Sequence, residues 1–439
     1  MSAWGSGHLA VQYHRVLASA FVTVCLISSA TALCCAEADS QIAEWTVLIY
    51  LDGDNNLDEY SEMDIEEMMG VGSTDKVRVL VLWDRYDQPV YLYEVRSTGL
   101  EVISGLSAKP PHAEDPIELN GQEVNMGDWR ILEAFVDFGI EKYPSEHLMV
   151  ILWDHGSPLF GVCWDDHYDW PWWPIPFSIS YDDVGTSLSG HHVDVLAFDS
   201  CSAGMAEVAY KFGQMNACGD LSVDYMLASE LYVPVFGYPY DRMLLQMNSL
   251  PETTDVPDVA AVIAAEYADS YSAESPENGG NTANLAVISP SGMVESVDAV
   301  SDLAALLQSR LESDYATYKP LISDARGEAN LIWGVPSDYG FIDLPMFLQG
   351  LSKMPRDREV RSCAENALTS LQSEAVLYVG NADAAESGSA MGLGVWLPPT
   401  IIHYEWVAFQ LWYDFDFGED TGWLDFAYAL TDFEPPWDP

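Results

Sequence analysis

Short apolar runs alternating with helix-period segments constrain this chain more than any other feature. Glu44 to Leu51 (E-W-T-V-L-I-Y-L), Lys76 to Trp83, His147 to Trp153 and Val193 to Phe198 are nearly continuous apolar runs of strand length. Between them the apolar residues recur at three and four: about Leu57 to Met69, Asp128 to Lys142 (Trp129, Leu132, Phe135, Val136, Ile140) and Ser202 to Phe212. A strand that is apolar on both faces needs cover on both faces. Strands alternating with helices of this length therefore predict an α/β fold, a mostly parallel sheet with helices on both sides. Val90 to Val95 reads as a strand in a short hairpin, and Tyr225 to Ser229 ends a further short strand.

The pattern changes beyond about Pro251. Val256 to Tyr271 and Val294 to Leu311 are long helical segments, Ser275 to Asn281 is a loop signal, and Leu285 to Ile288, Val376 to Val379 and Leu393 to Leu397 are short strands. The expected organisation is a leader over 1–38, a catalytic domain over 44–250, and a mixed α/β region over 251–439 packed on it. The tail Phe433 to Pro439 cannot continue a helix.

Charge narrows the function classes. Of 439 residues, 69 are acidic and only 17 basic, a net charge of -52. With 6 Lys and 11 Arg no basic face can be built, which excludes nucleic-acid binding by phosphate neutralisation. At 49% apolar the chain is not a disordered acidic tail. A field of this sign keeps the chain soluble and would concentrate cationic ligands.

Val16 to Ala36 is uncharged and follows His14 and Arg15, and no acidic residue precedes Glu37. This is the layout of a secretory leader, with cleavage expected at Ala36-Glu37-Ala38 or Ala30-Thr31-Ala32. An uncleaved anchor, or a lipoprotein made at Cys34 or Cys35, are the alternatives. The expected product is secreted or at the cell surface, monomeric and free of the membrane. Cleavage leaves Cys163, Cys201, Cys218 and Cys363, too few for a disulfide-stapled scaffold.

In an open α/β sheet function gathers at the carboxyl ends of the strands. Asp154-His155-Gly156-Ser157 follows V-I-L-W, and Asp199-Ser200-Cys201-Ser202-Ala203-Gly204 follows V-L-A-F. A His and a Cys thus each stand just past a strand end. A thiol becomes a strong nucleophile as thiolate, and a neighbouring imidazole or helix N-terminus lowers its pKa. With a helix expected from Ser202, Cys201 would have both. His155 could protonate a leaving amine, and the backbone N–H groups of Gly156 and Cys201 could face a developing oxyanion.

These residues carry a resemblance. L-W-D-H-G-S at 152–157 followed by F-D-S-C-S-A-G-M-A-E-V-A-Y at 198–210 resembles the clostripain family of cysteine peptidases, in the caspase-like clan. V-L-I-Y-L-D-G-D-N-N-L at 47–57, L-A-S-E at 227–230 with G-Y-P-Y at 237–240, Y-G-F-I-D-L-P-M-F at 339–347 and G-L-G-V-W-L-P at 392–398 match other family landmarks in order, so the likeness covers about 45–415. It implies a caspase-like sheet and a His155–Cys201 dyad acting through an acyl-enzyme. It also implies cleavage of protein or peptide substrates after Arg, or Lys. The family places an Asp two residues before the Cys to bind the basic side chain, and Asp199 holds that position; Glu230 is a second candidate for that pocket. A carboxylate suits guanidinium in charge and shape. Ser202 stands where the family carries a larger apolar residue, and Gly237-Tyr238 where it carries Gly-Trp. An inactive binding relative, or a thiol transpeptidase or amidase, are the rival readings.

No metal ligands and no obligatory cofactor are expected. Asp52-Gly53-Asp54-Asn55-Asn56 begins like a calcium loop, but Leu57 stands where that loop needs Gly and Met63 where it needs Glu. Helix capping by Asp54-Asn55-Asn56 is the expectation instead. Some family members require calcium, and Asp165-Asp166 is an acidic loop that could bind it, without a fixed ligand set. The His and Cys residues match no zinc spacing. Trp164 to Phe177 holds four Trp and three Pro and reads as a lid or as a wall of the cleft. Between Gly156 and Ser200 there is no Lys or Arg. An enzyme cutting after basic residues has no site there at which to split itself, so activity as one unbroken chain is expected.

Overall fold

The computed structural model describes residues 42–110, 113–158, 160–168, 177–275, 279, 281–329, 340–382, 390–400 and 416–431. The expected leader, most of the Trp- and Pro-rich stretch and the C-terminal tail lie outside them. Nine strands form the main sheet: β1 (Ala43–Gly53), β2 (Val77–Arg85), β3 (Gln88–Arg96), β4 (Gly99–Val102), β5 (Ser145–Trp153), β6 (His192–Asp199), β7 (Ser222–Ala228), β8 (Asn284–Ile288) and β9 (Val376–Asn381). Their order is β9-β8-β7-β6-β5-β1-β2-β3-β4. The centre, β2-β1-β5-β6-β7, is parallel. Both edges are antiparallel, β3 and β4 on one side and β8 and β9 on the other. The last two strands lie beyond residue 250, so the C-terminal region completes the catalytic sheet and does not merely pack against it.

The helices are α1 (Asp58–Val71), α2 (Trp129–Lys142), α3 (Tyr181–Ser187), α4 (Ala206–Cys218), α5 (Tyr240–Ser249), α6 (Val256–Ser270), α7 (Pro290–Glu328, interrupted at Asp314), α8 (Leu344–Ser352), α9 (Arg358–Ser370) and α10 (Trp423–Leu430), beside shorter turns. The apolar run of β1 divides between the two faces with period two. Trp45, Val47, Ile49 and Leu51 pack with residues of α1, α5 and α6, including Met68, Met243 and Ile263. Leu48 and Tyr50 pack with Phe135 and Val136 of α2 and with the layer that holds α4 and α7. Each such aliphatic side chain buried contributes about 1.5–3 kcal/mol of transfer free energy. The continuous run, which hides the alternation of a one-sided sheet, is thus the direct consequence of two-sided cover.

Two local expectations are corrected. The helix expected from Ser202 begins at Ala206. Residues 202–205 are captured by neighbouring segments: the Ser202 amide donates to the Leu231 carbonyl at 2.9 Å and that of Gly204 to Ser229 at 2.8 Å, while Met205 bridges Gly394. Ser202 lies at φ 56, so the chain turns sharply just after Cys201. Second, the capping is only partial: Asn55 Oδ1 accepts from the Leu57 amide at 2.8 Å, while Leu57, the cap residue of α1, offers no side-chain bond of its own. Asn55 Nδ2 and Asn56 Oδ1 reach across the strand ends.

Candidate active site

Register sets the site. On adjacent strands Trp153 of β5 pairs with Asp199 of β6, and the Asp154 amide reaches the Asp199 carbonyl at 3.3 Å. Two residues beyond that pair, on each strand, stand His155 and Cys201. The two segments lean together because no side chain separates them. A Cβ on Gly156 would fall 2.4 Å from the Cys201 carbonyl oxygen and 2.9 Å from its nitrogen. Only Gly permits that approach.

His155 and Cys201 line one cavity of about 370 Å³, walled by Leu57, Trp153 and Gly156 and by the segment Tyr232–Val235. Cys201 Sγ lies 3.8 Å from the Val233 carbonyl, to which the thiol donates. Burial pushes that thiol up to about 11. This corrects the expected lowering, since the helix begins too far downstream for its N-terminus to reach the sulfur. Burial also pulls His155 below its ordinary value, against the charge of Asp166. Burial thus favours the neutral form of both the thiol and the imidazole.

His155 Nε2 lies 3.0 Å from Asn56 Oδ1. An amide oxygen only accepts, so Nε2 carries the proton and Nδ1 keeps its lone pair. The loop beneath is fixed by Asp154, which accepts from Asn55 Nδ2 at 2.7 Å and from the Trp164 amide. Asn56 and Asn55 stand at the site, although the sequence names the D-N-N-L motif that holds them only as a cap and a family landmark.

Asp199 reaches the cavity and Glu230 does not. Asp199 Oδ2 accepts from the Tyr238 amide at 3.0 Å and the Tyr240 hydroxyl at 2.9 Å, while its buried Oδ1 has no partner. Burial pushes its carboxyl up to about 7, opposed by those two bonds. Gly237, at φ 56, closes over it, and a Cβ there would sit 2.7 Å from Oδ2. Glu230 is buried away from the cavity, accepting from Gly392 N at 2.7 Å and Asn284 Nδ2 at 3.2 Å, with Asp343 beside it. It ties the end of β7 to the C-terminal region, so its proposed place in the substrate pocket is withdrawn. All four Cys at 163, 201, 218 and 363 are free thiols. Among the described residues no helix is long and apolar enough to cross a membrane.

Clostripain from Hathewaya histolytica is 27% identical over 249 residues, which span 49% of this chain and 44% of that protein. The match thus covers less than half of the curated relative. A secreted C11 cysteine protease from Bacteroides thetaiotaomicron, solved with an irreversible peptide inhibitor, superposes with a TM-score of 0.60 at 17% identity, covering 87% of this chain and 99% of that one. An inactive zymogen C11 protease from Parabacteroides distasonis gives 0.60 at 20% identity with the same coverage. At these identities the two structures speak for the fold, which is the caspase-like one of these proteases. The model of the clostripain family matches residues 49–424, most of the chain, and on that ground the chain belongs to the clostripain family of cysteine peptidases.

Proposed function

We propose that this protein is an exported cysteine endopeptidase that cuts after Arg, or Lys, using His155 and Cys201. The observation that carries the reading is the shared cavity: Cys201, His155 and Asp199, whose buried Oδ1 has no hydrogen-bond partner, all line it. As Cys201 Sγ closes on the scissile carbonyl carbon, His155 takes the thiol proton, so no standing thiolate is needed. The C–S bond forms, and the carbonyl π electrons move to oxygen, where the amides of Gly156 and Cys201 are the proposed donors. Collapse expels the amine, which receives the proton from His155. Water, activated by the same imidazole, then releases the acyl group and restores the thiol.

Asp199 is the proposed floor of the pocket for the basic side chain. Its Oδ2 is already held by Tyr238 and Tyr240, which leaves Oδ1 for a guanidinium or ammonium. The uncharged leader-like segment supports export, and the acidic composition supports basic substrates.

Kinetics of Cys201→Ala and His155→Ala test the dyad. Each should lower kcat by about 10⁴-fold or more with the melting temperature nearly unchanged, because members of a unit that act together are lost together. Turnover retained by Cys201→Ala would end the thiol reading.

A further inference from the structure

Asp199 offers a basic side chain less than a carboxylate can. A carboxylate has about four lone-pair positions, two on each oxygen, and when these are open it accepts a guanidinium at two points. Here both positions on Oδ2 are taken, one by the Tyr238 amide at 3.0 Å and the other by the Tyr240 hydroxyl at 2.9 Å. Oδ1, buried and without a partner, is what remains.

Both donors are held in place. The Tyr238 amide belongs to the backbone. Tyr240 opens α5, where its own amide donates to Glu67 Oε2 at 3.0 Å, and its ring is fully buried beside that of Tyr238. Burial, and then the charge of Asp199, raises the Tyr240 hydroxyl well above its ordinary value, so it keeps a proton to donate throughout the neutral range. Turning the carboxylate would break both bonds. It would also press an oxygen on the backbone at Gly237, which lies so close that a Cβ there would fall 2.7 Å from Oδ2 and 3.1 Å from Oδ1.

We propose that the Tyr240 hydroxyl sets the balance between Arg and Lys before the scissile bond, by filling the position on Oδ2 that a guanidinium needs for a two-point grip. This assignment rests on the pocket role proposed for Asp199 and adds to it a positioning residue that acts through the carboxylate. A guanidinium that meets one oxygen only forfeits the second of its two parallel N–H···O bonds. An ammonium is a compact charge with rotatable donors, and a single oxygen costs it no such pair. The pocket thus reads charge and not the planar fork. Without the hydroxyl, Oδ2 would regain a position beside Oδ1, a spacing that the fork of a guanidinium matches and a single ammonium nitrogen does not.

The test compares two fluorogenic peptides that differ only in Arg or Lys before the scissile bond, on the full-length enzyme and on Tyr240→Phe. The assay runs at about pH 8.5, above the value of about 7 to which burial raises Asp199. The parent should cleave both peptides with kcat/KM values within about tenfold of each other. Tyr240→Phe should raise the Arg-to-Lys ratio by at least about fivefold, the scale of one added charge-assisted hydrogen bond. A merely structural loss would lower both rates together and leave the ratio where it was, and that result would overturn the assignment. A parent that prefers Arg by about a hundredfold or more would overturn it without any variant, since such discrimination needs the fork, and this arm decides if Tyr240→Phe does not fold. Cleavage after neither Arg nor Lys by the parent would overturn the Asp199 reading and this assignment with it. Cleavage confined to basic residues with an unmoved ratio would overturn this assignment alone.

Discussion

Burial shifts Asp199 and His155 in opposite directions, yet the proposed chemistry needs both deprotonated. Burial raises Asp199 to about 7 and lowers His155 from its ordinary value. In the proposed pocket Asp199 must be ionised to hold a guanidinium, and that charge is lost as pH falls through about 7. His155 must be neutral to take the thiol proton, and its lowered value keeps it so well below that point. For an Arg peptide, kcat/KM is therefore expected to fall on the acid side of about pH 7. The limb in kcat should lie lower, because bound guanidinium favours the carboxylate. Asp199→Asn should cost about 10²–10³-fold in kcat/KM for Arg at pH 8, the scale of an unpaired buried charge, and should remove the limb near 7. Its melting temperature at pH 8 should be no lower than that of the parent, since a buried carboxyl with a raised pKa destabilises the fold once ionised. A rate for Arg unchanged in Asp199→Asn would reduce Asp199 to a structural acceptor for Tyr238 and Tyr240.

At the scale of elements, the loop between the strands that carry His155 and Cys201 bears on the maturation expected of the proposed peptidase. From Gly156 to Ser200 there is no Lys or Arg. The nearest basic residues lie on helices: Lys142 ends α2, and Lys211 sits within α4, buried and paired with Asp182. A hydrogen-bonded helix cannot extend into a cleft as a strand-like substrate would. The purified active enzyme should therefore run as one chain, apart from leader removal, and match the mass of Cys201→Ala. A two-chain product confined to the active sample, with a new terminus between 156 and 200, would refute either the specificity or this route. Much of this level was legible in the sequence. The apolar runs of β1, β2, β5 and β6 identified themselves, because burial on both faces leaves few polar residues inside them. Helix α2 was legible to its Asp128 cap, whose side chain accepts from Arg130 N. The start of α4 was not legible, because tertiary bonds from Ser202 and Gly204 to the segment after β7 overrode a locally helical pattern. Helices α3, α5, α8, α9 and α10 also went unread; all but α9 are short, and all are held largely by packing against other helices. The site followed the same rule. His155 and Cys201 announced themselves by standing past strand ends, whereas Asn56 required knowing that the turn after β1 reaches the loop after β5. Glu230 stood past a strand end too, and only the position of Gly392, 162 residues away in sequence, turns it from the cavity.

Over the whole molecule, a net charge of -52 on 439 residues acts before any contact is made. Such a field draws cationic peptides toward the protein and is screened over about 8–10 Å at physiological salt. For a peptide with several basic residues, kcat/KM should drop several-fold between low salt and about 0.5 M NaCl, mostly through KM. A peptide with one Arg should change little. Equal salt dependence for both would deny the field a part in substrate capture. The selectivity proposed for the pocket is separate from this attraction, and it is where the account is most exposed. The deciding measurement is kcat/KM for fluorogenic peptides identical except for Arg, Lys, Asn or Asp before the scissile bond, on purified enzyme with Cys201→Ala as blank. The account predicts cleavage after Arg, weaker or comparable cleavage after Lys, none after Asn or Asp, and none by the blank. Cleavage after Asn or Asp, indifference to that residue, or activity in the Cys201→Ala sample would contradict it.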